Sequence, residues 1–220
     1  MADQMNMYSK PFMLATLIFL IGIFGGMVLD SIRADIVENN LSESEIMWED
    51  ARLLNMYINV IGQEQCDAAF RENLEYNDKI YGYGKDIEDK LEANVFSSEL
   101  TQEWRKYNLL QFQFWLNSIE LRDKCGFDYS NVVYISRMDI TPNGETVDNE
   151  LQSQILLKLK DKCGQNMMLI PLTADADLET IDVVVGQYNI TEFPSVIIDE
   201  EHVFQGLTPT EELEEHLLCE

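Results

Sequence analysis

The chain is short of the residues on which most enzyme chemistry is built. It has two histidines, His202 and His216, and four cysteines, Cys66, Cys125, Cys163 and Cys219, with no C-x-x-C pair among them. That excludes a zinc finger or ribbon, whose ligands recur at short fixed spacings. It also gives no Ser-His-Asp constellation a starting point. Cations are scarce: 15 lysines and arginines stand against 40 aspartates and glutamates, a formal charge of −25. Such a surface repels phosphate backbones, so nucleic acid is excluded as a partner. The fragment Gly82-Tyr83-Gly84-Lys85 lacks the rest of a phosphate-binding loop, and Asp175 and Asp177 stand without further ligands. No cofactor and no metal is expected.

What the chain does have is one long run without charge. Residues 11–29, between Lys10 and Asp30, are uncharged throughout. At 1.5 Å per residue they reach about 28 Å, close to the hydrocarbon thickness of a bilayer. A cleavable signal peptide has a shorter apolar core and a small-residue cleavage site, which Asp30-Ser31-Ile32-Arg33 does not supply. The expectation is a short tail (1–10) and an uncleaved transmembrane helix (11–29), in a single-pass protein of the cell membrane. Lys10 before the run and Arg33 after it nearly balance by the positive-inside rule. The short tail is the part expected on the cytoplasmic side, which makes the remainder extracytoplasmic, where disulfides form. Gly22 and Gly26 form a small-xxx-small pair, a route to a homo-oligomer through the membrane helix.

Asp3, Lys10 and Asp30 leave a charge of −24 on residues 31–220. Residues 31–125 read as a helical hairpin or short coiled coil. Ser42 and Glu45 have capping-box spacing ahead of Ile46, Leu53, Leu54, Tyr57 and Ile58. A second run, 67–94, is interrupted by Gly82 and Gly84, where weak helix or a bend is expected. A third, 98–124, repeats Leu100, Tyr107, Phe114 and Leu121 every seven residues, a packing stripe.

From residue 129 to 220 the pattern is α/β. Asn131–Ser136 and Met167–Leu172 read as buried strands separated by a turn at Thr141–Gly144 and a helix over 148–162. Asp177 is placed to cap the next helix. Ser195–Asp199 and His202–Gln205 read as paired strands, and Thr208-Pro209-Thr210-Glu211 opens a last helix running to about Leu218. The order β-α-β-α-β-β-α implies a mixed sheet flanked by helices.

That order, with Tyr188-Asn189-Ile190-Thr191-Glu192-Phe193-Pro194-Ser195-Val196 running into an apolar strand, resembles the thioredoxin fold. The resemblance implies a cis-proline at Pro194 and covers residues 129–218. Trp104–Cys125, with Cys66 upstream, is similar to the helical segment of membrane-anchored thioredoxin-domain proteins of prokaryotes, of an archaeal type. The dithiol of thioredoxins is missing: Ser136–Gly144, where it would stand, has no cysteine. Redox chemistry of that kind is therefore not carried over. What the resemblance still implies is a peptide-docking edge at Glu192, Phe193 and Pro194, used by β-augmentation.

Cys66 and Cys125 flank the helical region, and the expectation is one disulfide between them, closing a loop of about 58 residues for roughly 4 kcal/mol. Cys163 and Cys219 are left either paired or free. Two functions follow as expectations. One is a membrane-anchored, non-catalytic thioredoxin-like module that binds a protein or peptide. The other is a thiol enzyme using Cys125, beside Lys124, or Cys163 as a single nucleophile.

Overall fold

The apolar run belongs to a long helix, α1 (Ala2–Ile58), in the computed structural model, which describes residues 2–60, 62–92, 98–138 and 145–219. The chain divides into two compact units, Met1–Glu45 and Ile46–Glu220. In the first, Phe12–Leu29 is an 18-residue stretch with none of its residues buried, long and apolar enough to cross a membrane. Its one hydroxyl donor there, Thr16 Oγ1, bonds the carbonyl of Phe12 at 2.9 Å and so needs no water. The capping-box spacing at Ser42 does not start a helix, because α1 is already running through it. Carbonyls one turn upstream serve the amides that a cap would have served.

In the second unit the last turns of α1 pack on two further helices, α2 (Cys66–Glu92) and α3 (Ser98–Cys125). Ile58 is fully buried against Ala69 and Leu121, and Asn117 Nδ2 donates to the Ala51 carbonyl at 3.3 Å. Helices α2 and α3 form an antiparallel hairpin. Asn73 Nδ2 donates to Ser118 Oγ, Tyr76 Oη to the carbonyl of Leu110, and Lys90 pairs with Glu103 at 2.6 Å, in opposite order along the two helices. The bend expected at Gly82 and Gly84 is absent; α2 is helical across both. Gly84 is instead a notch for an aromatic ring, since a Cβ there would lie 2.6 Å from Tyr107 Cε2.

Leu100, Phe114 and Leu121 of the seven-residue stripe are buried. Helix α3 also buries Glu103, Asn108, Gln111, Gln113, Asn117 and Ser118, because it is covered on more than one side. It lies between α2 and a sheet. Asn108 Oδ1 accepts from the Thr173 amide at 2.7 Å, and Tyr129 Oη donates to the Ser118 carbonyl.

The sheet has four strands, β1 (Ser130–Ser136), β2 (Met167–Thr173), β3 (Ser195–Ile198) and β4 (His202–Gln205), in the order β2-β1-β3-β4. β1 pairs with β2 in parallel and with β3 antiparallel, and β3 pairs with β4 antiparallel. Alternation along the strands divides the core. Val133, Ile135, Ile170 and Ile197 face α3 and the helix α5 (Glu179–Gln187). Val132, Tyr134, Val196 and Ile198 face α4 (Glu145–Cys163) and the short α6 (Thr210–Glu214). A sheet covered on both faces reads as near-continuous apolar runs, as these strands do.

Two expected caps are not formed. Asp177 adopts a positive φ of 56° ahead of α5, where its carbonyl accepts from Arg105 Nη2, and Leu178 takes the cap position without a side-chain bond. The Thr208 hydroxyl turns back to the Gly206 carbonyl at 3.2 Å, so α6 starts after Pro209 with no side-chain cap. Helix α6 ends at Glu214, short of Leu218. The turn expected at Thr141–Gly144 lies outside the described residues.

Candidate functional site

Antiparallel pairing of β1 with β3 sets Ser195 opposite Ile135. The chain entering β3, residues 189–194, therefore comes to the end of β1, beside Arg137 and Met138. Pro194 is buried and follows a cis peptide bond from Phe193. Its carbonyl accepts from the Gly206 amide at 2.8 Å, which fixes the exit of β4 against the entry of β3.

One side chain organises the approach to that proline. Gln205 Oε1 accepts from the amides of Thr191 (2.8 Å) and Glu192 (3.2 Å) and from the Thr191 hydroxyl (3.2 Å), while its Nε2 donates to the Asn189 carbonyl at 3.2 Å. Ser195 Oγ donates to the Glu192 carbonyl at 2.6 Å. Both backbone groups of Glu192 are thus engaged within the fold. Among the described residues, neither the N–H nor the C=O of Phe193 has a partner. Of the two residues expected to present backbone to a peptide, the structure leaves Phe193 with that capacity.

The Phe193 ring carries a cation over its face, with Arg137 Cζ 4.4 Å from the centroid. Arg137 is held from behind, where its carbonyl accepts from Asn149 Nδ2 at 3.0 Å. The next amide, Met138 N, donates to the Asp175 carboxylate at 2.9 and 3.1 Å. Met138 and Leu207, which follow the two anchored segments, expose 40% and 44% of their surface. The arrangement offers a free backbone donor and acceptor, an exposed cation–π pair and two apolar side chains. These groups suit recognition of an extended chain, and they include no nucleophile. The sequence marked Phe193 and Pro194 but not Arg137 or Gln205. The available signal was positional: Arg137 directly follows a strand, and Gln205 directly precedes the glycine bonded to Pro194.

The four cysteines form two pairs. Cys66 and Cys125 have Cα atoms 5.7 Å apart, and Cys163 and Cys219 4.5 Å apart, each pair with its sulfurs at bonding distance. The first joins the foot of α2 to the end of α3. The second ties the end of α4 to the C-terminal segment. A nucleophilic thiol at Cys125 or Cys163 would first require reduction of its disulfide.

At the opposite end of the sheet, Arg122 of α3 holds the β3–β4 turn. It donates to Asp199 Oδ1 at 2.6 Å and to Glu200, whose other oxygen accepts from Trp115 Nε1 at 2.6 Å. Asp199 and Glu200 both adopt positive φ, 52° and 60°. Burial works against the Arg122 cation, but the hydrogen bond to Glu200 and the charges of Glu200 and Asp199 outweigh it and hold the group more firmly protonated than usual. This clamp docks the hairpin on the α/β part, and sequence spacing gave no hint of it. The two histidines also meet, His202 and His216 with ring centroids 4.1 Å apart. Among the described residues no three potential metal ligands converge.

No family model matches the chain, and no curated protein matches it. A solved structure described as "Structure of a malarial protein" is similar over 41% of this chain and 99% of its own, at 14% identity and a TM-score of 0.33. A likeness of that size carries no argument about fold or function.

Proposed function

We propose that this chain is a membrane-anchored, non-catalytic thioredoxin-like module that docks an extended protein or peptide segment on the extracytoplasmic side. The observation that carries the reading is the backbone of Phe193, unpaired among the described residues while Gln205 and Ser195 lock the residue before it. A loop held rigid by side-chain bonds loses little entropy when a partner pairs with the backbone of Phe193. Strand order β2-β1-β3-β4, with Pro194 opening β3, supports the thioredoxin-like assignment. The apolar stretch Phe12–Leu29 supports the anchor, and the paired cysteines support the extracytoplasmic side, where disulfides persist. Tied sulfurs and the absence of a dithiol after β1 favour binding over thiol chemistry.

The test uses the full chain in lipid nanodiscs, panned against a library of short unstructured peptides. Selected peptides should lose about tenfold in affinity when Gln205→Ala frees the loop from its side-chain bonds, or when Phe193→Ala removes the ring under Arg137 while leaving the backbone groups in place. Peptides indifferent to both substitutions would sink the docking site. Turnover of a model disulfide at thioredoxin-like rates would sink the non-catalytic reading.

A further inference from the structure

From Ile46 onward α1 has two apolar faces. Ala51 and Ile58, with Met47, Trp48 and Leu54, pack into the core of their unit. Ile46, Leu53, Met56, Tyr57 and Val60 do not; they expose 68%, 57%, 60%, 54% and 76% of their surface. Met56 and Tyr57 lie three and four residues beyond Leu53, so these three share one side of the last turns of α1, which ends at Ile58, and Val60 follows just past it, whereas the exposed Glu49 and Asp50 set Ile46 apart from them. A single exposed leucine needs no explanation, but the neighbouring stripe Leu53, Met56, Tyr57 and Val60 does.

We infer that this stripe is the surface on which a second copy of the chain docks, in a parallel pair. Charge selects the occupant first. The chain carries −25, yet residues 53–63 contain no charged residue at all. Two such copies repel nearly everywhere, and an uncharged stripe is where they can touch. A basic partner would be drawn to the acidic faces and not to this one. Geometry selects it second. Two copies anchored by Phe12–Leu29 in one membrane share an orientation, and the same residues, 30–52, separate anchor from stripe in each. Like then meets like in register, the self-complementary arrangement of a two-fold interface. Size is the third argument. Four side chains exposing on the order of 100 Å² each give roughly 800 Å² per pair, below the range of interfaces that hold in free solution. Such an interface is marginal in free solution but is favoured when a membrane tether raises the effective concentration. The inference rests on the proposed anchoring and is independent of peptide docking.

The test is thiol-specific cross-linking of the full chain in liposomes, with Leu53→Cys and Val60→Cys as separate variants. Val183→Cys serves as control, a residue 65% exposed on α5. Parallel pairing predicts that each stripe position yields at least about fivefold more cross-linked dimer than position 183. Adding Leu53→Glu to Val60→Cys should cut that dimer about tenfold with circular dichroism unchanged, since Leu53 lies outside the core. Equal cross-linking at positions 53, 60 and 183 overturns the inference. So does a dimer that ignores Leu53→Glu but vanishes with Gly26→Leu, which would place the contact in the membrane helix. Alkaline extraction of the same liposomes reports the anchor separately: a chain released from the lipid removes the premise, and a retained chain that fails to pair removes the stripe alone.

Discussion

Single side chains decide how this protein answers to pH. Tyr134 sits beneath α4 with its hydroxyl donated to the Asn149 carbonyl at 2.7 Å, and burial pushes its pKa up to about 12. Burial does the same for Tyr107, also to about 12, against the opposing pull of its hydrogen bond from Gln111. Phenols in the unfolded chain ionise near pH 10, so folding holds these two protons longer than unfolding does. Their contribution is complete below about pH 10 and is lost as pH rises towards about 12. From neutral pH upward the urea midpoint should therefore be level to about pH 10 and fall beyond it. Tyr134→Phe should flatten part of that fall while costing about 1 kcal/mol at neutral pH for the lost hydrogen bond. Equilibrium unfolding at a series of pH values checks both. The same scale shows what the sequence hid. Phe193 and Pro194 could be marked because they occupy a recognisable local pattern. Gln205 could not, because its four bonds reach back to residues 189–192 and exist only once β4 has paired with β3.

Elements follow sequence where the signal is periodic and depart from it where the signal is one residue competing for a partner. The strands, α4 and the α2–α3 hairpin were legible because continuous β-branched runs and helical repeats are averaged over many positions. Ser42, Asp177 and Thr208 have the local spacing of caps. Each lost that role to something the spacing does not encode: an upstream helix, a positive-φ turn bonded to Arg105, and the Gly206 carbonyl. Gly82 and Gly84 look alike in the sequence but should behave oppositely. A methyl group at Gly82 meets nothing within 4 Å, so Gly82→Ala should stabilise the helix by up to about 1 kcal/mol. At Gly84 the methyl meets the Tyr107 ring at 2.6 Å, and Gly84→Ala should destabilise by roughly 1–3 kcal/mol as that ring is displaced. Thermal unfolding of the pair separates propensity from packing. The hairpin is also closed covalently across 59 positions, and the double replacement Cys66→Ser with Cys125→Ser should lower stability by about 4 kcal/mol. Peptide mapping without reduction establishes the pairing first, and a wild-type chain with both thiols free would contradict it.

For the molecule as a whole the dominant fact is the excess of carboxylates. Charge of one sign, −24 on residues 31–220, makes the folded state repel itself, because folding brings those groups closer together than the unfolded chain holds them. Opposing this are a few ion pairs of unequal strength. Arg52–Glu49 is half exposed on both sides and contributes little, whereas Arg122 with Asp199 and Glu200 is mostly shielded and feels salt weakly. Screening should therefore remove repulsion faster than it removes attraction. Raising sodium chloride from about 10 to 150 mM shortens the screening length from roughly 30 to 8 Å. Over that range the stability of the unit Ile46–Glu220 should increase, on the order of 1 kcal/mol. Urea is the denaturant to use, since guanidinium is itself a salt. A fall in the urea midpoint over the same range would mean that ion pairs such as the Arg122 clamp outweigh the net charge. The stability of the unit would then be governed by a few local contacts and not by its overall field.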